Sequence, residues 1–579
     1  MNLSNSRHIW SLAFLSCLGL AGSACQGTAV AEGPLTPPAQ GNATIPTIPD
    51  TQATPPALPE PDETPATTGT LTITLHPNHT SVVNADTIAS FGVPFPRGAV
   101  ANVNQLVVRN AAGQELASYV QPLVTWRTLG ATRPSDGSVR SALIYVSVRF
   151  TQNAPMQIQL QLSGTRTLQL GAQPVATTNW RTITRPDFNI ALKEPPIYAT
   201  LPPAWLSSCE LRTMTTAANS DPDWAWFDTS YVNSAYTATN DLPASITTRI
   251  SMNDNEPWLF DRTMTLFNVY IRTGDVRWLR HAHRSARFYL AHLNAAGYFD
   301  YKDGDLKYVY GHSFLVDLML TGDTSLLTSI EKTATLQKTW NPVYTQSTSF
   351  WTERHQTYAL LGALTAWEAT GATTHRDRVM AIVNASFAHA NDPPGTWAAE
   401  GCMLHKASAH EGVPNQSQIC SPWMNALFAS AMWNYYLQSL DNNALEFLAD
   451  LGDFIAEEGL YDGGAEDVDF LVPYYLASSV YHYTDSGAWG DLEHTCDVAN
   501  VVARGAWARA ELGRDPQPLI DTTLQLLAGC EYNLNYWHRP NGVVNGLPEW
   551  RLSPARKFNW WFGTTSDMPW ILDQLGVSP

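Results

Sequence analysis

Charge is what this chain has least of. Asp, Glu, Lys and Arg make up 15% of its 579 residues, against about 25% in a typical globular protein. Basic residues are the scarcer sign: 34 Lys and Arg stand against 52 Asp and Glu, a net charge of −18. A nucleic-acid binder needs a basic footprint, so that class is excluded. Beyond the N-terminal region no run of about 18 or more apolar residues occurs, so no later segment is expected to span a membrane. The cysteines show no CxxC or Cys/His spacing, which excludes the usual structural zinc sites. Also absent are a GxSxG elbow, a P-loop, an HExxH pair and an EF-hand loop, which narrows the enzyme classes. What the chain does hold is 44% hydrophobic residues and 21 Trp. That composition excludes a disordered chain and a coiled-coil rod. Large aromatics with few charges suit flat stacking surfaces for a neutral or sugar-like ligand.

The N-terminus reads as an export signal, residues 1–24. Arg7 supplies the n-region charge, and Ile9 to Leu20 form an apolar stretch too short for a stable span. Gly22-Ser23-Ala24 before Cys25 is similar to a bacterial lipoprotein signal, in which Cys25 is acylated and becomes the mature N-terminus. Gly22 stands where an aliphatic is usual, so ordinary cleavage there or after Ala29-Val30-Ala31 is the alternative. Residues 25–69 are a linker: Pro34 to Thr68 contains ten Pro and eight Thr in 35 residues, a composition that favours extended polyproline-like chain. The expected location is outside a bacterial cytoplasm, as a membrane-anchored lipoprotein or an extracellular or periplasmic protein. Export permits disulfides. Cys402 with Cys420 is a plausible local pair and Cys496 with Cys530 a second, leaving Cys209, although spacing alone does not fix connectivity.

Two folded regions follow. Over residues 70–185 the pattern has period two, as in Leu71-Thr72-Ile73-Thr74-Leu75 and Met156 to Leu162. Turn signals at Asn110 to Gly113, Asp136-Gly137 and Ser163-Gly164 separate the runs. This predicts a small N-terminal β-barrel or sandwich. Residues 186–244 connect it to a helical region, 245–579. There Met264, Phe267 and Ile271 share one helical face, and Val276, Leu279, His283, Ala286 and Leu290 another. Thr273-Gly274-Asp275, Thr321-Gly322-Asp323 and Thr370-Gly371-Ala372 recur at steps of 48 and 49. Each follows an apolar helix, with glycine as its stop and, in the first two, aspartate as cap of the next. Two helices per step is a hairpin repeat. Six or seven hairpins can close into an (α/α) toroid, so the expected fold is multidomain, β plus α, a β-barrel followed by a toroid.

In such a ring the first helices of all hairpins run one way, and their N-terminal ends converge. The residues at that phase are Asn253-Asp254-Asn255-Glu256-Pro257-Trp258 with Asp261-Arg262, then Tyr308-Val309-Tyr310-Gly311-His312, then Trp351-Thr352-Glu353-Arg354-His355. They are the most ionisable and aromatic clusters of the region and are expected to face one cleft. His312, Tyr310, Arg354, His355 and Glu353 are the catalytic candidates. Asn253, Asn255, Glu256, Trp258, Arg262, Tyr308, Trp351, His410 and Tyr474 are the substrate-binding candidates. Each has a plain structural reading: Asn253 to Glu256 as a cap before Pro257, Asp261-Arg262 as a helix-start ion pair, the tyrosines as core, His312 as a satisfied buried histidine. His281, His283 and His292 fall on a second, outer helix. His494 and Cys496 lie in a loop or a helix start. Trp560-Trp561-Phe562 offers stacking planes.

The β region contains Phe91-Gly92-Val93-Pro94-Phe95-Pro96-Arg97-Gly98, then Gln121 to Trp126, then Asp136-Gly137-Ser138-Val139-Arg140-Ser141-Ala142-Leu143. This order resembles the N-terminal RIFT-barrel domain of exo-rhamnogalacturonan-lyase-like proteins, over about 100 residues. The resemblance implies a C-terminal (α/α) toroid and a secreted enzyme cutting uronic-acid-containing polysaccharide by β-elimination. That family carries a β-sandwich between barrel and toroid, for which residues 186–244 are too few. No catalytic residue is carried over from it.

A lyase must neutralise the uronate carboxylate, remove a proton and protonate the leaving oxygen. Arg354, Asn253 or Asn255 suits the first task, His312 or His355 the second, and Tyr310 or Tyr308 the third. A glycoside hydrolase needs two carboxyl groups instead, for which Glu256 or Asp254 with Glu353 would serve. A noncatalytic glycan-binding lipoprotein needs the aromatics alone. The lyase is the preferred expectation, and it requires a locally positive cleft in a chain of charge −18. No cofactor is called for, and no ligand spacing specifies Ca²⁺, although a bound Ca²⁺ is compatible with either reaction. The expected partners are a polysaccharide or oligosaccharide and, through Cys25, a membrane.

Overall fold

The computed structural model describes residues 69–130, 137–184, 191–232, 258–346, 348, 352–409, 416–485, 487–537, 543–544, 547–548 and 555–579. The signal, Cys25 and the Pro/Thr linker lie outside the described residues.

The first unit is built from the period-two runs. Strand β1, Thr70–Pro77, turns Leu71, Ile73 and Leu75 inward and its threonines outward. It pairs antiparallel with β6, Met156–Gln161, and with β9, Ile197–Thr200. Strand β3, Val107–Asn110, adds to β6, giving a four-stranded sheet. A three-stranded sheet orders β2, Asp86–Pro94, then β5, Val139–Arg149, then β4, Ser118–Thr125. Ile73, Leu75, Phe91, Val93, Ile144, Val146 and Ile158 share one core between the sheets. Among the described residues the strands therefore fall into two facing antiparallel sheets, where a closed barrel was one expectation. A strand from the 186–244 stretch, β9, completes the larger sheet. The short pair β7, Arg181–Ile183, and β8, Leu192–Glu194, lies alongside.

Two short helices, α1 (Pro203–Ser208) and α2 (Ala225–Tyr231), lead to the helical unit. Its hairpins are α3 (Arg262–Thr273) with α4 (Val276–Ala291), and α5 (His312–Thr321) with α6 (Leu326–Gln337). Next come α7 (Thr352–Thr370) with α8 (Thr373–Asn391), and α9 (Pro422–Ser439) with α10 (Asn442–Glu458). After the short α11 (Ala488–Asp491) follow α12 (Thr495–Glu511) with α13 (Gln517–Trp537), then α14 (Ala555–Thr565) with α15 (Met568–Gln574). The first helix of each pair packs against the first helix of the next, and α14 returns to α3. Asn559 Nδ2 donates to the Leu259 carbonyl at 3.0 Å and Thr265 Oγ1 to the Asn559 carbonyl at 3.3 Å, closing the ring. Six hairpins thus form a toroid-like ring among the described residues. The first helices form its inner layer, which is why every residue of α5 is buried: such a helix meets neighbours on all sides and needs no polar stripe.

The recurring Thr-Gly-Asp turns join inner to outer helices. Gly322 has φ +78° and Gly371 φ +72°, left-handed values that glycine takes without steric penalty. The threonine before each bonds back into its helix, Thr321 Oγ1 to the Asp317 carbonyl at 2.6 Å and Thr370 Oγ1 to the Ala366 carbonyl at 2.7 Å. Asp275 and Asp323 accept from the backbone of Arg277 and Ser325, as their capping role requires. A fourth copy reads Ser439-Leu440-Asp441. Leu440 occupies the left-handed position at φ 52°, Ser439 Oγ donates to the Tyr435 carbonyl, and Asp441 accepts from Asn443 N–H.

These turns are where the β unit docks. A Cβ on Gly322 would strike Leu143, and one on Gly371 would strike Arg127. Ser141 Oγ donates to the Met319 carbonyl at 2.8 Å, and Leu129 N–H to the Gln438 carbonyl at 3.1 Å. Glu368, fully buried near the end of α7, pairs with Arg140 at 3.2 Å and with Arg212. The sheets therefore cap the C-terminal ends of the inner helices, and the opposite end of the ring carries the clustered polar residues. Both expected disulfides form, Cys402–Cys420 at the entry to α9 and Cys496–Cys530 between α12 and α13. Cys209 is the free, buried cysteine among the described residues. Among those residues no helix is long and apolar enough to cross a membrane.

Candidate active site

Side chains from all six inner helices converge on a cavity of about 60 Å³. Met264 comes from α3, His312 from α5, Tyr358 from α7, Asn434 from α9, Arg504 from α12 and Thr564 from α14. Arg212 reaches in from the segment after α1, and Asp567 from the turn before α15.

Asp261 stands at the entry to α3 and lines this cavity. Its Oδ1 accepts the Met264 N–H at 3.0 Å, an N-cap bond. Its Oδ2 lies 3.0 Å from Nε2 of His312, the first residue of α5. Phe260 and Asp261 have φ values of +67° and +47°. Two successive left-handed residues without a glycine are strained by about 1–3 kcal/mol each, and such strain gathers at functional sites. Burial pushes the Asp261 carboxyl up to about 7, against bonds from Met264, Thr263 and Ser313 that favour its charged form. Burial, with the Arg212 charge, pulls His312 down to about 3. The pair is therefore neutral between about 3 and about 7, with its proton on Asp261.

The cations that line the cavity already have buried acidic partners. Arg212 is held by Glu368, and Arg504 by Asp567 at 2.9 and 2.8 Å. At the N-terminal ends of other inner helices two more acid–histidine pairs occur. Glu353 Oε1 lies 3.2 Å from Nδ1 of His405, both fully buried. Asp497 Oδ2 lies 3.4 Å from Nδ1 of His494. Between them runs an aromatic wall: Phe260 meets Trp560 edge-on at 4.4 Å, Trp560 meets Trp423 at 5.1 Å, and Trp423 stacks on His494 at 4.5 Å. The Arg354 guanidinium sits over the Phe260 ring at 4.9 Å.

The expected convergence of inner-helix N-termini thus brings His312, Glu353 and Arg354 to one end, with His312 on the cavity. Other candidates lie elsewhere. Tyr310 is buried and its oxygen accepts the Phe260 N–H at 3.0 Å. Burial holds its phenol well above the usual range, so it is a core tyrosine beneath the site and not a proton donor. Tyr308 is buried with Lys302 over its ring, and Trp258 is stacked on Phe288 at 5.3 Å, so both are packing aromatics. His355 stacks on Trp340 at 4.9 Å, away from the cavity lining. Arg262 is buried and is not among the lining residues. Tyr474 stacks on Tyr461 at 4.4 Å, in the strand-rich segment before α12. Asn253, Asn255, Glu256, Trp351 and His410 lie outside the described residues, as does Asp254. His283 is a structural histidine as expected, its Nδ1 2.9 Å from Asp317.

The sequence placed Asp261 among the residues expected to face the cleft, with a helix-start ion pair as the alternative, and did not single out Asp497, His405, Arg504 or Asp567. The phase of the repeat carried a usable signal for Asp261, which precedes α3 as His312 begins α5. His405 had none, because its contact with Glu353 crosses 52 positions of chain. Among the described residues no group of three or more His, Cys, Asp and Glu side chains is placed to hold a metal ion.

No protein-family model matches the chain, and no curated protein matches it, so the resemblance of residues 91–143 stays one of short motifs. Solved structures do overlap with it. A variant of unsaturated glucuronyl hydrolase from Streptococcus agalactiae is 13% identical with a TM-score of 0.38, over 55% of this chain and 82% of that one. An α-1,6-mannanase from Salegentibacter is 13% identical with a TM-score of 0.35, over 55% and 90%. Cellobiose 2-epimerase from Bacillus thermoamylovorans is 11% identical with a TM-score of 0.36, over 55% and 88%. At that level of similarity no residue role or substrate is transferred from them.

Proposed function

We propose that this chain is a carbohydrate-active enzyme that hydrolyses glycosidic bonds at the N-terminal end of the helical ring, with Asp261 as the proton donor. One observation carries the reading. Asp261 is a buried carboxyl, presented by a strained backbone onto the cavity and holding its proton up to about 7. A carboxylic acid that keeps its proton near neutral pH can give it to a leaving glycosidic oxygen. The neutral His312 stands beside it, Nε2 3.0 Å from Oδ2.

β-Elimination is the second reading, and Arg354 favours it. Its guanidinium, over the ring of the residue before Asp261, suits the neutralisation of a uronate. Hydrolysis is preferred because Tyr310, the lyase's expected acid, belongs to the core, and because Arg212 and Arg504 are already paired. The motif resemblance of the β region makes uronic-acid-containing polysaccharide the first substrate class to try. Export and acylation at Cys25 would hold the ring outside the cell on its Pro/Thr tether; labelled palmitate incorporated by the wild type and lost in Cys25→Ala tests that part.

The test of the reaction is a panel of glucans, mannans, polygalacturonate, rhamnogalacturonan, alginate and hyaluronan. New reducing ends without the ultraviolet absorbance of an unsaturated uronyl product, lost in Asp261→Asn, support hydrolysis. Appearance of that absorbance supports elimination. Binding without turnover on every member leaves a glycan-binding protein.

A further inference from the structure

The cavity that Asp261 lines has hydrogen-bonding capacity that a proton donor alone does not use. Asn434 lines it from α9, Asn268 from α3 and Arg504 from α12, and all three side chains are more than nine-tenths buried. Asn434 Nδ2 donates to the Ser430 carbonyl at 2.9 Å. A carbonyl only accepts, so this amide cannot be turned over, and its Oδ1 stays as an acceptor without a protein donor. Asn268 Nδ2 donates to Ser566 Oγ at 3.0 Å, and its buried Oδ1 also meets no protein donor. Arg504 uses only Nη2 on Asp567, and its Nε and Nη1 are buried without a protein partner. Buried polar groups of this kind are normally satisfied.

We propose, resting on the hydrolase reading above, that these groups form the subsite for one uncharged sugar residue, whose hydroxyls accept from Arg504 and donate to Asn434 and Asn268. The mix of donors and acceptors points to that ligand. A hydroxyl both donates and accepts, so the hydroxyls of one sugar can serve a guanidinium and an amide carbonyl together. A carboxylate only accepts. In this cavity it could take the Arg504 donors, but it would leave both amide oxygens without a donor.

Charge argues the same way. Both Asp567 oxygens lie on Arg504 Nη2, at 2.9 and 2.8 Å, so a uronate bound to the same guanidinium would stand close to a second buried carboxylate. Arg212, the other cation on the cavity, is bonded to Glu368 and Thr365. Uronates elsewhere in a polymer do not bear on this subsite.

Size and lining agree. At about 10–15 Å³ for each water, the cavity of about 60 Å³ has room for roughly four to six waters, the scale of one sugar unit and not of a chain. Met264, Leu361 and Leu427 give part of its wall an apolar surface for the C–H faces of a ring. Ordered water making the same bonds is the plain alternative. Water confers no preference between sugars, and that preference is what distinguishes the two.

The test is binding by the full chain, followed by ligand-detected NMR titration with pairs of free sugars that differ only at C6: glucose and glucuronate, galactose and galacturonate, mannose and mannuronate. The neutral member of at least one pair is expected to bind about tenfold or more tighter than its uronate. Asn434→Leu removes the acceptor, and Arg504→Lys keeps a cation for Asp567 while removing the idle nitrogens. Each is expected to weaken the neutral sugar about tenfold or more, with a melting temperature near wild type. Asn434→Ala serves if the leucine variant folds poorly. A uronate that binds as tightly as its neutral counterpart in every pair, neutral binding unchanged in both variants, or no binding of any of the six sugars overturns the proposal. None of these touches the hydrolase reading, which turnover by Asp261→Asn decides. Neutral sugars bound as expected by a wild type that cleaves nothing would defeat the hydrolase reading and leave the subsite as a binding site.

Discussion

Nε2 of His312 stands 3.0 Å from Oδ2 of Asp261, each at the start of an inner helix of the ring and each nearly closed off from solvent. In water such a pair would be ionic. Here burial favours the neutral form of both, so the contact stores a proton on the carboxyl and does not lock it into a salt bridge.

The first prediction separates chemistry from folding at this residue. Asn is as good an N-cap as Asp, so Asp261→Asn should keep the bond from Met264 N–H and change stability by less than about 1 kcal/mol. It has no proton to donate, so turnover should fall about 100-fold or more. Thermal unfolding and turnover of the same preparation check both halves.

The second concerns stability against pH. Between 3.8 and about 7 the folded state holds a proton on Asp261 that the unfolded chain has lost, so this group makes stability fall as pH rises. Between about 3 and 6.5 the unfolded chain holds a proton on His312 that the folded state lacks, so that group makes stability rise with pH. The two oppose each other across most of the same window. Relative to wild type, Asp261→Asn should therefore gain stability as pH rises through this range, and His312→Gln should lose it. Urea midpoints at a series of pH values read the two slopes; slopes of the same sign would contradict the neutral pair.

Much of the fold was legible because the turn between inner and outer helices needs a left-handed residue, and glycine marks it at Gly274, Gly322 and Gly371. The copy at Leu440 escaped for the same reason, since leucine there gives no such mark. The two disulfides were legible because each joins chain segments close in sequence, 18 and 34 positions apart. The site was legible only in phase. The repeat placed the right helix ends together, but Tyr310 and His312 are two residues apart and face different surroundings, one the core and one the cavity. Pairings such as Glu353 with His405, or Arg212 with Glu368, join residues far apart in the chain and leave no local pattern.

The third prediction concerns the seat of the β unit. Glu368 is buried between Arg140 and Arg212, and Glu368→Gln leaves two buried guanidinium groups short of a counter-charge. A loss of about 3–5 kcal/mol is expected, read by denaturant unfolding. Because Arg212 also lines the cavity, activity should fall at temperatures where the variant is still folded.

Gly322 gives an independent check of the same docking face. Gly322→Ala puts a Cβ against the Leu143 side chain at a φ of +78°. Strain and overpacking together should cost about 2–4 kcal/mol. A variant as stable as wild type would mean that the sheets do not rest on this turn.

The disulfides predict a redox effect on stability. Their loops span 18 and 34 positions, so each bond should contribute about 3–4 kcal/mol. Reduction should lower the melting temperature, and peptide mapping after alkylation of the unreduced, unfolded protein should find Cys209 labelled and Cys402, Cys420, Cys496 and Cys530 protected.

The most direct test of the whole account is turnover of the polysaccharide panel by wild type and Asp261→Asn side by side. The account predicts new reducing ends from the wild type on at least one member, without an unsaturated product, and a loss of about 100-fold or more in a variant that remains folded. Cleavage by a folded Asp261→Asn protein at the wild-type rate would contradict it.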